Sequence, residues 1–415
     1  MSAPADRLVH AQYEAYPYPA RDPRDERKRL ITGSPSDLDE LRHHLFAGRI
    51  DDGRPFRALV AGGGTGDGLI MLAQQIRDAG LAAEITYVDL SESSRRIAEA
   101  RAEIRGLTDL IRFHTGSLLE LERIAPGPFD YIDCCGVLHH LADPAAGLAA
   151  LAARLAPGGG MGLMVYGTLG RTGVYPLQSA LRRLAGGLPD PERLALAKRL
   201  VGSLPETNWF RRNPFLADHR ASDAGLYDLL LHSRDRAYTV PELCELVEGQ
   251  GLTIVSFIDP AAYDPAYLIS DPRLRARIEG MDLRERAALA EELSGALKVH
   301  VVYVKRRDEA AGAAASPDNP EMRPVLRGIA PEALARGLKP GRPLTVDRNG
   351  LKFSLPMPPL AAAICARIDG KRSIADLYQE IAGLQGGALT WDAFKRQFDQ
   401  LYGGLHGFGK LFLRA

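Results

Sequence analysis

The apolar run Phe56-Arg57-Ala58-Leu59-Val60-Ala61 leads into a cluster containing Gly62, Gly64 and Gly66, and a single acid, Asp89, closes the next run, Ile85-Thr86-Tyr87-Val88. Glycines at a strand-to-helix turn let the backbone approach a ligand to contact distance. A Cβ at any of these three positions would fill that space or force an unfavourable φ. A carboxylate at the tip of the second strand can accept hydrogen bonds from both hydroxyls of a ribose. Together these features describe a nucleoside-binding crevice at the carboxyl edge of a parallel sheet. The spacing disfavours a pyrophosphate. Dinucleotide sites use G-x-G-x-x-G, whereas this loop runs G-x-G-x-G with Asp67 where the third glycine would fall, placing negative charge where phosphate oxygens need N–H donors. Asp89 by itself does not say which adenosine-containing cofactor is held.

Positioning these residues takes an alternation of strands and helices, and the downstream order of segments supplies it. A helix is predicted from Ser91 to Arg105, then a strand ending in Gly116-Ser117-Leu118, then Phe129-Asp130-Tyr131-Ile132-Asp133-Cys134-Cys135-Gly136-Val137-Leu138-His139-His140. Another helix follows, then Leu155-Ala156-Pro157-Gly158-Gly159-Gly160 and a strand from Met161 to Tyr166.

This succession resembles the class I S-adenosylmethionine-dependent methyltransferases from about Arg54 to Val304, with four motifs in that family's order and at its spacing. The resemblance implies an α/β fold: a Rossmann-like, doubly wound sheet of seven strands with the last pair antiparallel. It also implies S-adenosyl-L-methionine as cofactor; separately, the lack of C-x-x-C spacing among the cysteines leads to the expectation of no metal. In it, Gly62, Gly63, Gly64 and Gly66 would hold the methionine portion, Asp89 the ribose hydroxyls, and Ser117 and Leu118 the adenine. Leu90 and Gly136 are further expected cofactor contacts. Two positions depart from the family pattern: Val60 stands where an acid is frequent, and Ser117 where an aspartate is frequent. His139 falls at the position of a catalytic histidine in some similar O-methyltransferases, and an imidazole is a competent base at neutral pH. The alternative for His139 is a packed ring that holds the loop. Cys135, His140 and Tyr166 are expected in the substrate pocket. Asp235 and Arg236 would either orient substrate or form a surface ion pair.

The segment 1–53 reads as an arm rich in tyrosine and proline (Tyr13, Tyr16-Pro17-Tyr18-Pro19), followed by a helix-capable stretch whose first turn Ser36 and Glu40 could serve. Similar methyltransferases fold such an arm across the cofactor, which makes Tyr13 and Tyr18 candidate pocket residues. The methyltransferase domain spans 54–306, with a helical insertion over about 168–238. Thr239 starts a helix as N-cap, with proline and acid in its first turn. Strands at Thr253–Ile258 and Val299–Lys305 would close the sheet. The small and polar residues of 307–322 read as a linker. The segment 323–415 has a hairpin around Asn349-Gly350 and three helical patterns, which resemble a small α+β winged-helix-like domain. Its last helix mixes basic and acidic residues, a poor match to phosphate contacts, and Trp391, Phe394 and Phe398 sit at core spacing.

Composition narrows the classes. The chain has 415 residues, 46% hydrophobic and 25% charged, with 52 basic and 52 acidic side chains. That balance leaves no global field to attract nucleic acid or a membrane surface. Four cysteines lack C-x-x-C spacing, the start of the chain lacks an apolar signal-like run, and a cytoplasmic enzyme is expected. The expected partner is a methyl acceptor, either a protein side chain or, as the alternative, a small molecule methylated on O or N. A homodimer is a further expectation. A regulatory protein that binds the cofactor without turnover is the third reading.

Overall fold

The computed structural model describes residues 4–50, 53–339, 341–348 and 350–415. Asn349 of the expected hairpin turn and the first three residues lie outside the described residues. By contact density the chain forms two units. One contains 1–37, 52–254 and 295–307; the other contains 38–51, 255–294 and 308–415. The linear division at 53 and 306 therefore differs from the division by packing, because 38–51 and 255–294 pack with the C-terminal segment.

The first unit is built on a seven-stranded sheet: β1 (Phe56–Ala61), β2 (Ala83–Asp89), β3 (Ile111–Thr115), β4 (Phe129–Cys135), β5 (Leu155–Tyr166), β6 (Leu252–Phe257) and β7 (Val299–Arg306), in the order β3-β2-β1-β4-β5-β7-β6. β1 runs parallel to β2 on one side and to β4 on the other, and β7 runs antiparallel to β5. The strand order reverses at β1, so the loops after β1 and β4 diverge there and leave a crevice at the carboxyl edge. β1 and β4 are buried along almost their whole length because helices cover both faces. Leu59 and Ile132 are fully buried, and each such side chain contributes about 2 kcal/mol by leaving water.

Four helices matter to the site or its correction: α1 (Pro4–Ala15), α2 (Leu38–Leu45), α3 (Asp67–Asp78) and α4 (Glu92–Arg105). α4 starts where its sequence predicts, with the Ser91 hydroxyl accepting from the Ser94 N–H, and ends at Gly106 in the left-handed region. The helix after the insertion starts at Val240 with a capping box between Thr239 and Glu242. Ser36 does not serve the first turn of α2. It adopts a left-handed backbone (φ 84°) and donates its hydroxyl to Asp133 on β4 at 2.6 Å. Its left-handed backbone departs from the extended conformation of an N-cap, and its hydroxyl proton goes to the buried carboxylate in a charge-assisted bond. The insertion is helical, with its longest pieces at Val174–Ala185, Asp190–Ser203 and Asp223–Leu230.

In the second unit, Leu344–Arg348 pairs with Leu351–Leu355, and Arg323–Leu326 with Leu411–Arg414, both antiparallel. Helices Ile374–Leu384 and Trp391–His406 pack around Phe394 and Phe398, which are fully buried, with Trp391 partly buried beside them. The 307–322 segment is not a free linker. Ala313, Ala315 and Met322 are buried, and the Ala313 carbonyl and the Ala315 N–H bond to the backbone of Ala47 and His43, each at 2.7 Å. Its alanines are small enough to let the chain lie flat on α2. Among the described residues, no helix is long and apolar enough to cross a membrane.

Candidate functional site

A cavity of about 1000 Å³ opens at the carboxyl ends of β2, β1 and β4. Its floor is the turn between β1 and α3. Gly62 and Gly64 have φ of 72° and 52°, so the turn needs glycine there. Space around these residues adds a second reason. A Cβ on Gly64 would lie 2.7 Å from the Tyr18 carbonyl, and one on Gly62 would strike the Val137 side chain at 2.4 Å. The glycines therefore admit the N-terminal arm and the β4 loop, and the backbone they strip bare edges the cavity. Gly66 does not line the cavity; its φ of 98° starts α3, and a Cβ there would press on Ala98 of α4 at 3.0 Å.

Asp89 ends β2 facing the cavity. Its two oxygens accept the Gly64 N–H at 2.7 Å and the Ser91 N–H at 2.8 Å, which orients the carboxylate across the strand tips. Burial pushes its pKa up, and the Ser91 and Gly64 N–H groups pull it back. Each oxygen keeps lone-pair capacity for a sugar hydroxyl. Leu90, Ser117, Leu118 and Gly136 line the same cavity, as do Gly62, Gly63 and Gly64. A bare backbone turn beside an oriented carboxylate and an apolar wall fits an adenosine cofactor.

The arm builds the opposite wall. Tyr13 and Tyr18 both line the cavity, with Pro19 and Arg21. Thr65 donates its hydroxyl to the Pro19 carbonyl at 2.7 Å, and Arg21 grips Asp67 at 2.6 Å. Asp67 also pairs with Arg101, a fully buried guanidinium that donates to the Thr65 carbonyl at 2.8 Å and to Glu26. Burial alone would raise the Asp67 pKa, but the Arg21 hydrogen bond and the Arg101 charge hold it below the usual carboxylate range. The acid that breaks the dinucleotide pattern thus ties arm, loop and α4 together.

The other end of the cavity is lined by His140, Tyr166 and Cys135. Asp228, from the insertion, joins them; it accepts from Tyr166 at 2.8 Å and from Tyr13 at 3.2 Å. The tautomers follow from the partners. His232 Nδ1 accepts from the Arg234 N–H at 3.0 Å, so in the neutral ring Nε2 carries the proton and faces the Tyr13 oxygen at 3.2 Å. His140 Nδ1 faces the Arg234 carbonyl at 2.8 Å and must donate, so in the neutral ring Nε2 carries the lone pair. Burial keeps His232 neutral and raises the Asp228 and Tyr166 pKa values.

His139 is not in the cavity lining. Its ring is buried, 3.9 Å between centroids from Tyr166 and 4.2 Å from His140, and neither nitrogen has a hydrogen-bond partner among the described residues. The ring is packed against its neighbours, and the adjacent His140 is the one that lines the cavity. The 3₁₀ turn Leu138–His140 sets the two rings at 62° to each other, which the sequence pattern does not resolve. Asp235 is buried against Arg171 at 2.9 Å, and Arg236 is half-exposed beside Glu242 at 3.5 Å, so the expected Asp235–Arg236 pairing is replaced by two others. Asp228 and Asp133 escaped the sequence reading. Both carried a signal: an acid inside Leu226-Tyr227-Asp228-Leu229-Leu230 and another inside Tyr131-Ile132-Asp133-Cys134, where burial would be costly without a purpose.

A family model described as a methyltransferase domain matches residues 59–161. An uncharacterized protein of Synechococcus sp. (strain ATCC 27144) is 35% identical over 298 residues, covering 69% of this chain and 68% of its own length. A ubiquinone biosynthesis O-methyltransferase of Caulobacter sp. (strain K31) is 34% identical over 155 residues, 36% of this chain, and the match spans 58% of that relative. Among solved structures, PKMT2 from Rickettsia typhi superposes with a TM-score of 0.62 at 16% identity, covering 96% of this chain and 75% of that one. The likeness is one of fold.

Proposed function

This chain belongs to the class I S-adenosylmethionine-dependent methyltransferases, and from that membership we propose that it methylates a protein side chain seated between His140, Tyr166 and Asp228. The observation that carries this reading is the continuity of one cavity from Asp89 and the glycine turn to those three groups. When bound, S-adenosylmethionine supplies a sulfonium-linked methyl group already activated for transfer. Asp89 would take the ribose hydroxyls, the Gly62–Gly64 backbone the methionine portion, and Ser117 and Leu118 the adenine. The protein's larger task is alignment of the acceptor lone pair. His140 Nε2 is the proton acceptor in this reading, rather than His139, because it is the histidine nitrogen with a lone pair on a ring that lines the cavity. Asp228, held by two tyrosine hydroxyls, fixes the polar end of the acceptor.

A small-molecule acceptor is the second reading, favoured by the O-methyltransferase names of several relatives. Four cysteines that form no disulfide among the described residues support the cytoplasm as the place of action. Cofactor titration followed by transfer of labelled methyl into fractionated extract tests all of this. Label in protein supports the first reading and label in low-mass material the second. Binding without incorporation in any fraction overturns both in favour of a regulatory role.

A further inference from the structure

Asp133 lies on β4, in register with Val60 at the end of β1, and both line the cavity. The carboxylate is 2% exposed. Oδ2 accepts the Ser36 hydroxyl at 2.6 Å, while Oδ1 has no hydrogen-bond partner among the described residues. Among the described residues no cationic side chain faces it: Ser36, which is neutral, supplies its hydrogen bond, and the backbone of Gly68 closes on the other side, where a Cβ would come within 2.7 Å of Oδ2. A carboxylate desolvated in this way is retained at a cost unless something positively charged arrives. Burial pushes this carboxyl up to about 6, with the Ser36 hydrogen bond pulling against it.

Resting on the reading that the cavity takes S-adenosylmethionine, we propose that Asp133 is the counter-ion of the cofactor's α-ammonium group. The order of strands supports the placement. Asp89 stands at the tip of β2, the glycine turn follows β1 in the middle, and Asp133 lies across it on β4, so a ligand whose ribose is held at β2 carries its amino-acid end over the turn toward Asp133. Asp133 sits beside Ser36 and the first turn of α3, whereas His140, Tyr166 and Asp228 form a separate polar cluster at the acceptor end. An ammonium would donate to Oδ1 and complete the hydrogen bonding of a group that Ser36 satisfies only on one side. Ser36 acts through Asp133 and is a positioning residue.

The test is calorimetric binding of two probes to the full chain: S-adenosylhomocysteine, whose sulfur is uncharged, and its des-amino analogue, S-adenosyl-4-thiobutanoate, which keeps adenosine, thioether and carboxylate. The wild-type protein should prefer the amine by roughly tenfold or more, as expected for a buried charge-assisted hydrogen bond. Asp133→Asn should lose that preference, weakening S-adenosylhomocysteine by about ten- to a hundredfold while leaving the des-amino analogue within about twofold. Retained binding of the analogue shows that the variant is folded. Equal loss of both probes, or unchanged discrimination in Asp133→Asn, overturns the assignment. Failure of the wild-type protein to bind either probe instead removes the cofactor reading on which it rests.

Discussion

At the scale of single residues, Asp89, Asp133 and Asp228 line one cavity, each with a different set of partners. Asp89 is oriented by two backbone N–H groups. Asp89→Ala should weaken cofactor binding by about ten- to a hundredfold through loss of the ribose contacts, measurable by calorimetry, and an unchanged Kd would remove Asp89 from the site. The two adjacent histidines separate cleanly. His140→Ala should slow turnover by about a hundredfold at constant cofactor affinity. His139→Ala should instead lower the melting temperature, since it removes a packed ring. A rate loss confined to His139→Ala would restore the base to that position. Asp133 couples to pH with a defined sign. Its folded pKa, about 6, lies above its ordinary 3.8, so its contribution to stability is fully present below about pH 4 and is lost as the pH rises to 6. The shift corresponds to about 3 kcal/mol. Asp133→Asn should therefore melt close to wild type at pH 4 and above it at pH 7 without ligand. A stability difference independent of pH would contradict the buried, unpaired carboxylate.

At the scale of elements, the arm becomes a wall of the cavity through charge rather than apolar packing alone. Arg101 is 1% exposed and pairs with Glu26 and Asp67, and Arg21 meets the same Asp67 from the arm. Arg101→Ala leaves Glu26 and Asp67 short of a buried partner, a change that costs about 3–5 kcal/mol. It should also open the arm. Limited proteolysis is expected to cut within residues 16–35 faster in the variant, with a raised cofactor dissociation rate, and equal cleavage would show that the arm is held by other contacts. Much of this level is legible in the sequence: Ser91, Thr239 and Ser373 cap the helices that follow them, as their residue types suggest. Ser36 breaks the pattern because its backbone is left-handed and its hydroxyl donates to a carboxylate 97 residues away, and local propensity cannot register a partner so distant.

At the scale of the whole molecule, the chain divides its apolar side chains between the sheet unit and a second core built on Phe394, Phe398 and Leu401. Phe394→Ala should destabilise that second core by about 3–5 kcal/mol through lost burial and a residual cavity. Hydrogen exchange should report faster opening of Trp391–His406 while the β1 and β4 amides keep their protection. Uniform loss of protection in both units would mean that they unfold as one. The parallel strands, the glycine turn and the acid that ends β2 could be read directly from the chain. They arise from periodicity and backbone freedom, which are properties of neighbours in sequence. What the tertiary structure alone decided is which side chains meet. Helix Asp223–Leu230 brings Asp228 to Tyr13 and Tyr166, a short 3₁₀ turn puts His140 and not His139 in the cavity lining, and 38–51 packs with the C-terminal segment. Those outcomes depend on long-range packing and on the cost of leaving a buried polar group unpaired, and neither is written in any local window of residues.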